Sequence, residues 1–143
     1  MNANFDAERF LRYHKTDYST ALKEVRNGHK TSHWIWFIFP QLKGLGHSAF
    51  SDYFGLDGLQ DAVSFYDNGV LRNHLRTITK SLLDLNEVDI NNVMPGIDSV
   101  KLKSSMTLFD IVSPGDIFGE VLAKYYNDER DNITLSMIHG AEK

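Results

Sequence analysis

Residues 34–39 have the sequence Trp-Ile-Trp-Phe-Ile-Phe and are followed by Pro40. Aromatic and β-branched residues favour strands, so on propensity alone this run indicates a buried strand. No second convincing strand exists to pair with it, and a lone strand would leave its backbone groups without partners. We therefore predict a buried helix or irregular segment that ends before Pro40, and an all-α fold.

The rest of the chain shows apolar residues at helical spacing. Phe5, Phe10 and Tyr13 begin one amphipathic segment, and a second one stops at Asn27-Gly28. Later helices are predicted near residues 57–66, 70–85, 98–112, 117–125 and 131–138, with Asp98, Asp131 or Asn132 as possible capping residues. Since the connections are short and no linker is visible, we predict one domain over residues 1–143, a compact array of about seven helices.

The composition limits the class of protein. A chain of 143 residues with 42% hydrophobic residues can bury a substantial core. The absence of cysteine excludes disulfides, thiolate metal sites and a cysteine nucleophile. No run approaches the roughly 18 apolar residues of a membrane span, and the first residues do not resemble a signal peptide. We expect a cytoplasmic protein without a membrane partner.

The charge is distributed unevenly along the chain. A formal net charge of −4 argues against a nucleic-acid polymer as partner. Residues 1–50 contain seven Lys/Arg and four Asp/Glu, whereas residues 51–143 contain eight and fifteen. The basic part coincides with the most unusual motif, so it indicates either random surface charge or a site that attracts an anion.

The first motif, residues 30–41, has the sequence Lys-Thr-Ser-His-Trp-Ile-Trp-Phe-Ile-Phe-Pro-Gln. Polar residues precede and follow an apolar run. The two tryptophans could form a wall on which a planar ligand stacks. The alternative is a core segment with polar flanks.

Gly44-Leu45-Gly46-His47-Ser48 follows this motif and precedes a helix-like stretch to about Phe54. Glycines expose backbone N–H groups that could bind a phosphate or carboxylate. The segment is not a Walker or dinucleotide fingerprint. A plain turn with Ser48 as a helix cap is the alternative.

The third segment, residues 98–109, is Asp-Ser-Val-Lys-Leu-Lys-Ser-Ser-Met-Thr-Leu-Phe. On a helix, Lys101 and Ser105 lie beside an apolar face, whereas Lys103, Thr107 and Asp110 project toward solvent. A buried serine can bond to the carbonyl one turn back. Lys101 must instead extend to solvent, pair with a carboxylate such as Asp98, or meet an anionic ligand.

Other chemistry has weaker support. Ser105, Lys101 and His33 could form a nucleophile system, but no nucleophile-elbow sequence is present. His29 and His33 have helical spacing without the acidic partner of a zinc site, so no metal and no cofactor are expected. His14, His47 and His139 are interpreted as surface or capping residues. His74 lies on an apolar stripe, where a hydrogen-bonded core histidine is typical.

The motifs at residues 30–41, 44–48 and 98–109 together resemble a bacterial family known only as domain of unknown function eighteen-ten. Its members are often labelled calpastatin, although nothing here resembles the disordered inhibitory repeats of true calpastatin. The resemblance extends from about Phe10 to Leu135.

The resemblance implies a mainly α-helical array in which Asp131-x-x-Thr134-Leu135 caps the last helix, and it implies no established activity. The chain departs from the family at Met94-Pro95-Gly96, where an aromatic-containing turn is usual.

Two functional hypotheses follow. The first is a binding or catalytic site, formed where the motifs meet, for an anionic small molecule such as a nucleotide or nucleotide-derived metabolite; the sequence assigns neither an enzymatic activity nor catalytic residues. The candidate contacts are Lys30, Ser32, His33, Trp34, Trp36, Gln41, Gly44, Gly46, Ser48, Lys101, Ser104 and Ser105. The second is a protein-interaction module in which both motifs are core and the acidic later helices bind a basic partner.

Overall fold

The computed structural model describes residues 5–141, and this range forms nine α-helices. They are α1 (Glu8–Arg26), α2 (Ile35–Ile38), α3 (Ala49–Phe54), α4 (Leu59–Asp67), α5 (Gly69–Asp84), α6 (Ile90–Val93), α7 (Ile97–Val112), α8 (Ile117–Tyr125) and α9 (Asn132–Ala141). The predicted all-α class is confirmed. The predicted number of about seven helices is wrong. The two segments predicted before Gly28 form the one helix α1, and the additional helices α2, α3 and α6 have four to six residues, too few for the apolar spacing to repeat.

The aromatic run that raised the question of a strand forms the single turn α2. Within the described range the β pairing amounts to one isolated parallel bridge, between Leu42 and Leu56. The Lys43 N–H donates to the Leu56 carbonyl at 2.9 Å, and the Leu56 N–H donates to the Gln41 carbonyl at 3.0 Å. This bridge joins the two ends of the segment that contains the Gly44–Ser48 turn and α3.

Helix α7 is the central element and packs against α2, α4, α8 and α9. The expectation that its Lys103, Thr107 and Asp110 face solvent is wrong for Thr107, which is buried. The Thr107 hydroxyl donates to the Lys103 carbonyl at 2.8 Å and accepts from the Asp131 N–H at 2.9 Å. The start of α9 therefore covers this side of α7, since a central helix has neighbours on both faces.

The helix caps agree only in part with the predictions. Ser48 caps α3 by accepting from the Ser51 N–H at 3.1 Å, and Asp131 accepts from the Thr134 N–H at 3.0 Å. Asp98 does not cap α7: Gly96, with a positive φ of 64°, precedes the helix and Asp98 lies in its first turn.

The end of α5 is capped by a side chain from α8. The Lys124 ammonium donates to the carbonyls of Leu82 at 3.3 Å and Leu83 at 3.0 Å, and also to that of Leu85. Helix α5 has no basic residue in its own last turn. A cation at this end satisfies open carbonyls and complements the helix dipole, so α8 completes α5.

Two histidines join α1 to α5. His14 was expected at the surface, but it is buried, because α1 packs against both α2 and α5. Its Nε2 bonds to the Phe37 carbonyl at 2.7 Å, and its Nδ1 lies 3.0 Å from Nδ1 of His74. Since a carbonyl only accepts, Nε2 of His14 carries the proton and His74 donates to His14. The prediction of a hydrogen-bonded His74 is thus confirmed.

None of the helices in this described range is both long enough and apolar enough to cross a bilayer.

Candidate functional site

The polar residues before α2 gather around Glu24 of α1. Its carboxylate accepts hydrogen bonds from the Thr31 N–H at 2.8 Å, the Ser32 N–H at 2.9 Å and the Trp34 Nε1–H at 3.0 Å. The Ser32 hydroxyl donates to its second oxygen at 2.5 Å. Burial alone would raise the pKa of Glu24, but the donors outweigh it and lower the pKa to about 2.

Lys30 is committed to a buried ion pair. Its Nζ lies 2.9 Å from a carboxylate oxygen of Asp98 in α7 and 5.0 Å from the ring centroid of Trp34. The Lys30 side chain is only 6% exposed. We call Glu24, Lys30, Ser32, Trp34 and Asp98 the Glu24 cluster. Its members satisfy one another, and they tie α1, the segment before α2 and α7 together.

Trp34 offers no surface to a ligand, since it is 1% exposed. The hydrogen bond from its indole to Glu24 explains why a tryptophan can be buried there. Lys30, Ser32 and Trp34, which were candidate ligand contacts, therefore bond to other residues of the protein.

A second group of candidates meets around Gly46. A Cβ on Gly46 would lie 2.2 Å from Oγ of Ser51 and 3.2 Å from Nζ of Lys101. Only glycine fits here, because the first of these distances is far below any real contact. The turn after the first motif and helix α7 therefore converge at this point, as the first hypothesis requires.

Lys101 differs from the other lysines of the two motifs. Lys30 pairs with Asp98, and Lys103 pairs with Glu129 at 3.6 Å. In the part of the chain that the structure describes, Lys101 has neither an ion pair nor a hydrogen bond. Asp98, the partner considered for it, is used by Lys30. The ammonium of Lys101 is thus an uncommitted positive charge beside Gly46.

Trp36 and Gln41 extend this group. Together with Ser51, Phe54 and Gly55 they line a cavity of about 10 Å³. The Trp36 Nε1 and the Ser105 Oγ are buried without a hydrogen-bond partner in the structure. Ser105 lies one turn beyond Lys101 on α7, which packs against α2. We call Trp36, Gln41, Gly46, Ser51 and Lys101 the Lys101 site.

The remaining candidates lie around these groups. Gly44 has a positive φ of 100° and approaches Met137 of α9. The Ser104 hydroxyl donates to the Val100 carbonyl at 3.2 Å, which is the self-satisfaction expected for a helical serine. The Ser48 hydroxyl donates to Ser51 Oγ at 3.1 Å. His33 is exposed and forms no hydrogen bond within residues 5–141.

Sequence reasoning missed three residues that organise the site: Glu24, Ser51 and Phe50. Glu24 lies on α1, seven to ten positions before the residues that donate to it, and those residues lie beyond the end of that helix, so no helical spacing rule connects them. Ser51 could have been found, because it lies three residues after the predicted cap Ser48, where a capping side chain bonds. Phe50 lies on the same helix and contacts Trp36.

A metal centre has no support here. Among the described side chains, no group of three or more His, Asp or Glu residues is arranged to hold a metal ion.

Comparison with known proteins assigns the chain to a family. The family described as "Protein of unknown function (DUF1810)" matches residues 4–138. The crystal structure of the conserved hypothetical protein Rv1873 from Mycobacterium tuberculosis has a TM-score of 0.92 and 33% identity, covering 94% of this chain and 97% of that one. No curated protein matches the chain. The chain belongs to the DUF1810 family of proteins of unknown function.

Proposed function

We propose that the chain binds a small anionic molecule, nucleotide-like in character, at the Lys101 site. The observation that carries the proposal is the unpaired ammonium of Lys101 beside a glycine that admits no side chain. A charge held against the protein surface is stabilised by an anion when no carboxylate among residues 5–141 pairs with it.

The surroundings of Lys101 support a ligand rather than a chance surface charge. Ser51 is 6% exposed and Gln41 is 8% exposed, and both border the cavity beside Trp36, which at about 10 Å³ has room for one water molecule and leaves an anion on the surface side. A hydroxyl and an amide can donate to phosphate or carboxylate oxygens. Lys101 would supply the charge, and these two groups would orient the anion.

The Glu24 cluster has a supporting role in this proposal. The Lys30–Asp98 pair fixes the first turn of α7, and Lys101 follows Asp98 by one turn. Lys30 thus acts on the ligand through the position of α7 and does not contact the anion.

Lys101→Met is expected to abolish stabilisation by anionic ligands. The wild type should gain about 2.7 kcal/mol at a ligand concentration of 100 times Kd. The variant should show no gain, because methionine keeps the apolar stem and removes the charge. Its stability without ligand should change by less than about 1 kcal/mol, since no internal partner is lost. Thermal-shift screening against phosphate, carboxylates and nucleotides measures both effects.

Lys103→Met is the matched control, since Lys103 lies on the same helix and pairs with Glu129. It should respond to ligand like the wild type. The same ligand response in wild type and Lys101→Met, or no response of the wild type to any anion, would contradict the proposal. An interaction module with no ligand would instead show only a loss of stability in Lys101→Met.

Gly46→Ala is expected to weaken the same ligand while leaving every charge in place. The new methyl group would overlap Ser51 Oγ at 2.2 Å and Cβ at 2.7 Å, so the turn must move away from α7. Titration calorimetry with the best ligand of the screen measures the loss of affinity. The control is Gly140→Ala in α9, where a Cβ meets nothing within 4 Å. Unchanged affinity in Gly46→Ala would contradict the placement of the anion beside Gly46.

A further inference from the structure

Phe50 presents an aromatic ring next to the Lys101 site. Its ring is stacked on Trp36, with the centroids 4.9 Å apart and the planes inclined by 25°. Phe50 nevertheless remains 49% exposed. Phe54, one turn further along α3, also lies nearly parallel to the Phe50 ring, with the centroids 6.4 Å apart. The part of the Phe50 ring that neither Trp36 nor Phe54 covers is open to solvent.

Trp36 connects this ring to the cation. On one side it stacks with Phe50, and on another it lines the small cavity with Gln41 and Ser51. Phe50 immediately precedes Ser51 on α3, and Ser51 shares the Gly46 contact with Lys101. The open ring and the unpaired ammonium therefore border the same short helix.

A ring beside a cation matches a particular class of ligand. Nucleotide bases stack on aromatic side chains, and their phosphates bind cationic groups. A simple phosphate or an aliphatic carboxylate would use the cation and leave Phe50 uncovered. The combination favours a ligand that carries both a heteroaromatic ring and a phosphate.

We propose that Phe50, backed by Trp36, is the surface on which the base of a nucleotide stacks while the phosphate meets Lys101. This inference rests on the proposed anion site and adds a residue that selects the ligand. Trp34 is not available for stacking because it is buried. Phe50 is thus a specificity-determining residue, and the affinity for phosphate alone does not depend on it.

The test compares AMP with ribose 5-phosphate, which has the same phosphate and sugar without the base. Titration calorimetry on the wild type should give an affinity for AMP on the order of tenfold higher than for ribose 5-phosphate. Phe50→Leu should remove that preference and leave the affinity for ribose 5-phosphate unchanged. Lys101→Met should weaken both ligands.

Tyr53→Leu is the matched control. Tyr53 is an exposed aromatic residue on the same helix, and its ring contacts are with Tyr13 and Phe54. This variant should keep the preference for AMP. Circular dichroism should show the wild-type helix content for each variant, since all three side chains are at least partly exposed.

The outcomes separate the two proposals. Equal affinity of the wild type for AMP and ribose 5-phosphate would overturn the role of Phe50 and leave the anion site standing. An AMP preference that survives in Phe50→Leu, or that Tyr53→Leu removes, would also overturn it. Failure of the wild type to bind either compound would overturn both proposals.

Discussion

Glu24→Ala is expected to lower the free energy of unfolding by about 3 kcal/mol. The Glu24 carboxylate accepts four hydrogen bonds from three residues of the segment before α2, namely Thr31, Ser32 and Trp34. Alanine would leave the buried Trp34 indole N–H without a partner. An orphaned buried donor loses its full solvation, which outweighs the modest value of the bond itself.

Urea denaturation followed by circular dichroism measures this loss. Lys15→Ala, at an exposed position of the same helix, should change stability by no more than about 0.5 kcal/mol. The stability loss of Glu24→Gln should lie between those of Glu24→Ala and Lys15→Ala. The amide oxygen of glutamine can still accept hydrogen bonds, but its NH₂ group would face the donors of the cluster. A change below about 1 kcal/mol in Glu24→Ala would show that the cluster does not hold α2 in place.

The same carboxylate predicts a loss of stability in strong acid. Its pKa of about 2 in the folded protein lies below the ordinary value of 4.5. The stabilisation is therefore complete above pH 4.5 and is lost as the pH falls toward 2. Glu24→Gln should lack this part of the acid transition.

Acidification from pH 6.5 to 4 is expected to remove about 3 kcal/mol of stability through His14. Burial, more than the neighbouring His74, lowers the pKa of His14 to about 4, although the Phe37 carbonyl opposes the shift. Burial also lowers the pKa of His74. Histidines of the unfolded chain take up protons near pH 6.5, whereas the folded pair resists protonation. This contribution to the free energy of unfolding is therefore present above pH 6.5 and is lost as the pH falls from 6.5 toward 4.

The geometry gives the physical reason for that resistance. The 3.0 Å contact between the two Nδ1 atoms holds one proton, and a second proton would place two cations against each other. Tyr18 stacks on His74 with ring centroids 3.7 Å apart and adds no negative charge in this range, since burial raises its pKa. The Arg26 guanidinium lowers the pKa of Tyr18 in this stack and so opposes the rise caused by burial.

Equilibrium unfolding at intervals between pH 7 and pH 4.5 tests this expectation. His14→Gln can still donate to the Phe37 carbonyl but does not titrate, so its stability should vary much less with pH. His139→Gln, at an exposed position, should keep the wild-type slope. A wild-type stability that stays flat over this interval would contradict the assignment of the buried pair.

The helical class could be predicted because the alternative, a β-strand in the aromatic run, could be eliminated. Trp34–Phe39 had strand propensity, but no partner strand existed, and the structure forms one helical turn there. Helices α7 and α8 followed from their apolar spacing, since α7 ends at Val112 and α8 covers Ile117–Tyr125, as expected. Helix α1 was predicted as two segments, but it forms one helix over Glu8–Arg26. The four-residue helix α6 could not be predicted, because it is shorter than two turns and its last carbonyl, that of Val93, accepts from the distant Lys30 N–H at 2.8 Å.

The site was predicted as two segments, and the structure divides them differently. Helical phasing distinguished Lys101 from Lys103, and the structure leaves only the first of these two unpaired. Helical phasing could not show that Asp98 pairs with Lys30, because that ion pair joins residues far apart in the sequence. The burial of His14 was missed for the same reason: helix packing decides which face of α1 is covered.

The cap on α5 has a consequence for how the chain is made. Lys124 reaches the Leu85 carbonyl across 39 positions of sequence. A nascent chain that has not yet extended past α8 would hold α5 with its final carbonyls open to water. Helix α5 would then fray at that end while the ribosome continues. Helix α5 therefore gains this cap only after Lys124 has been synthesised, so its last turn becomes stable later than the rest of the helix.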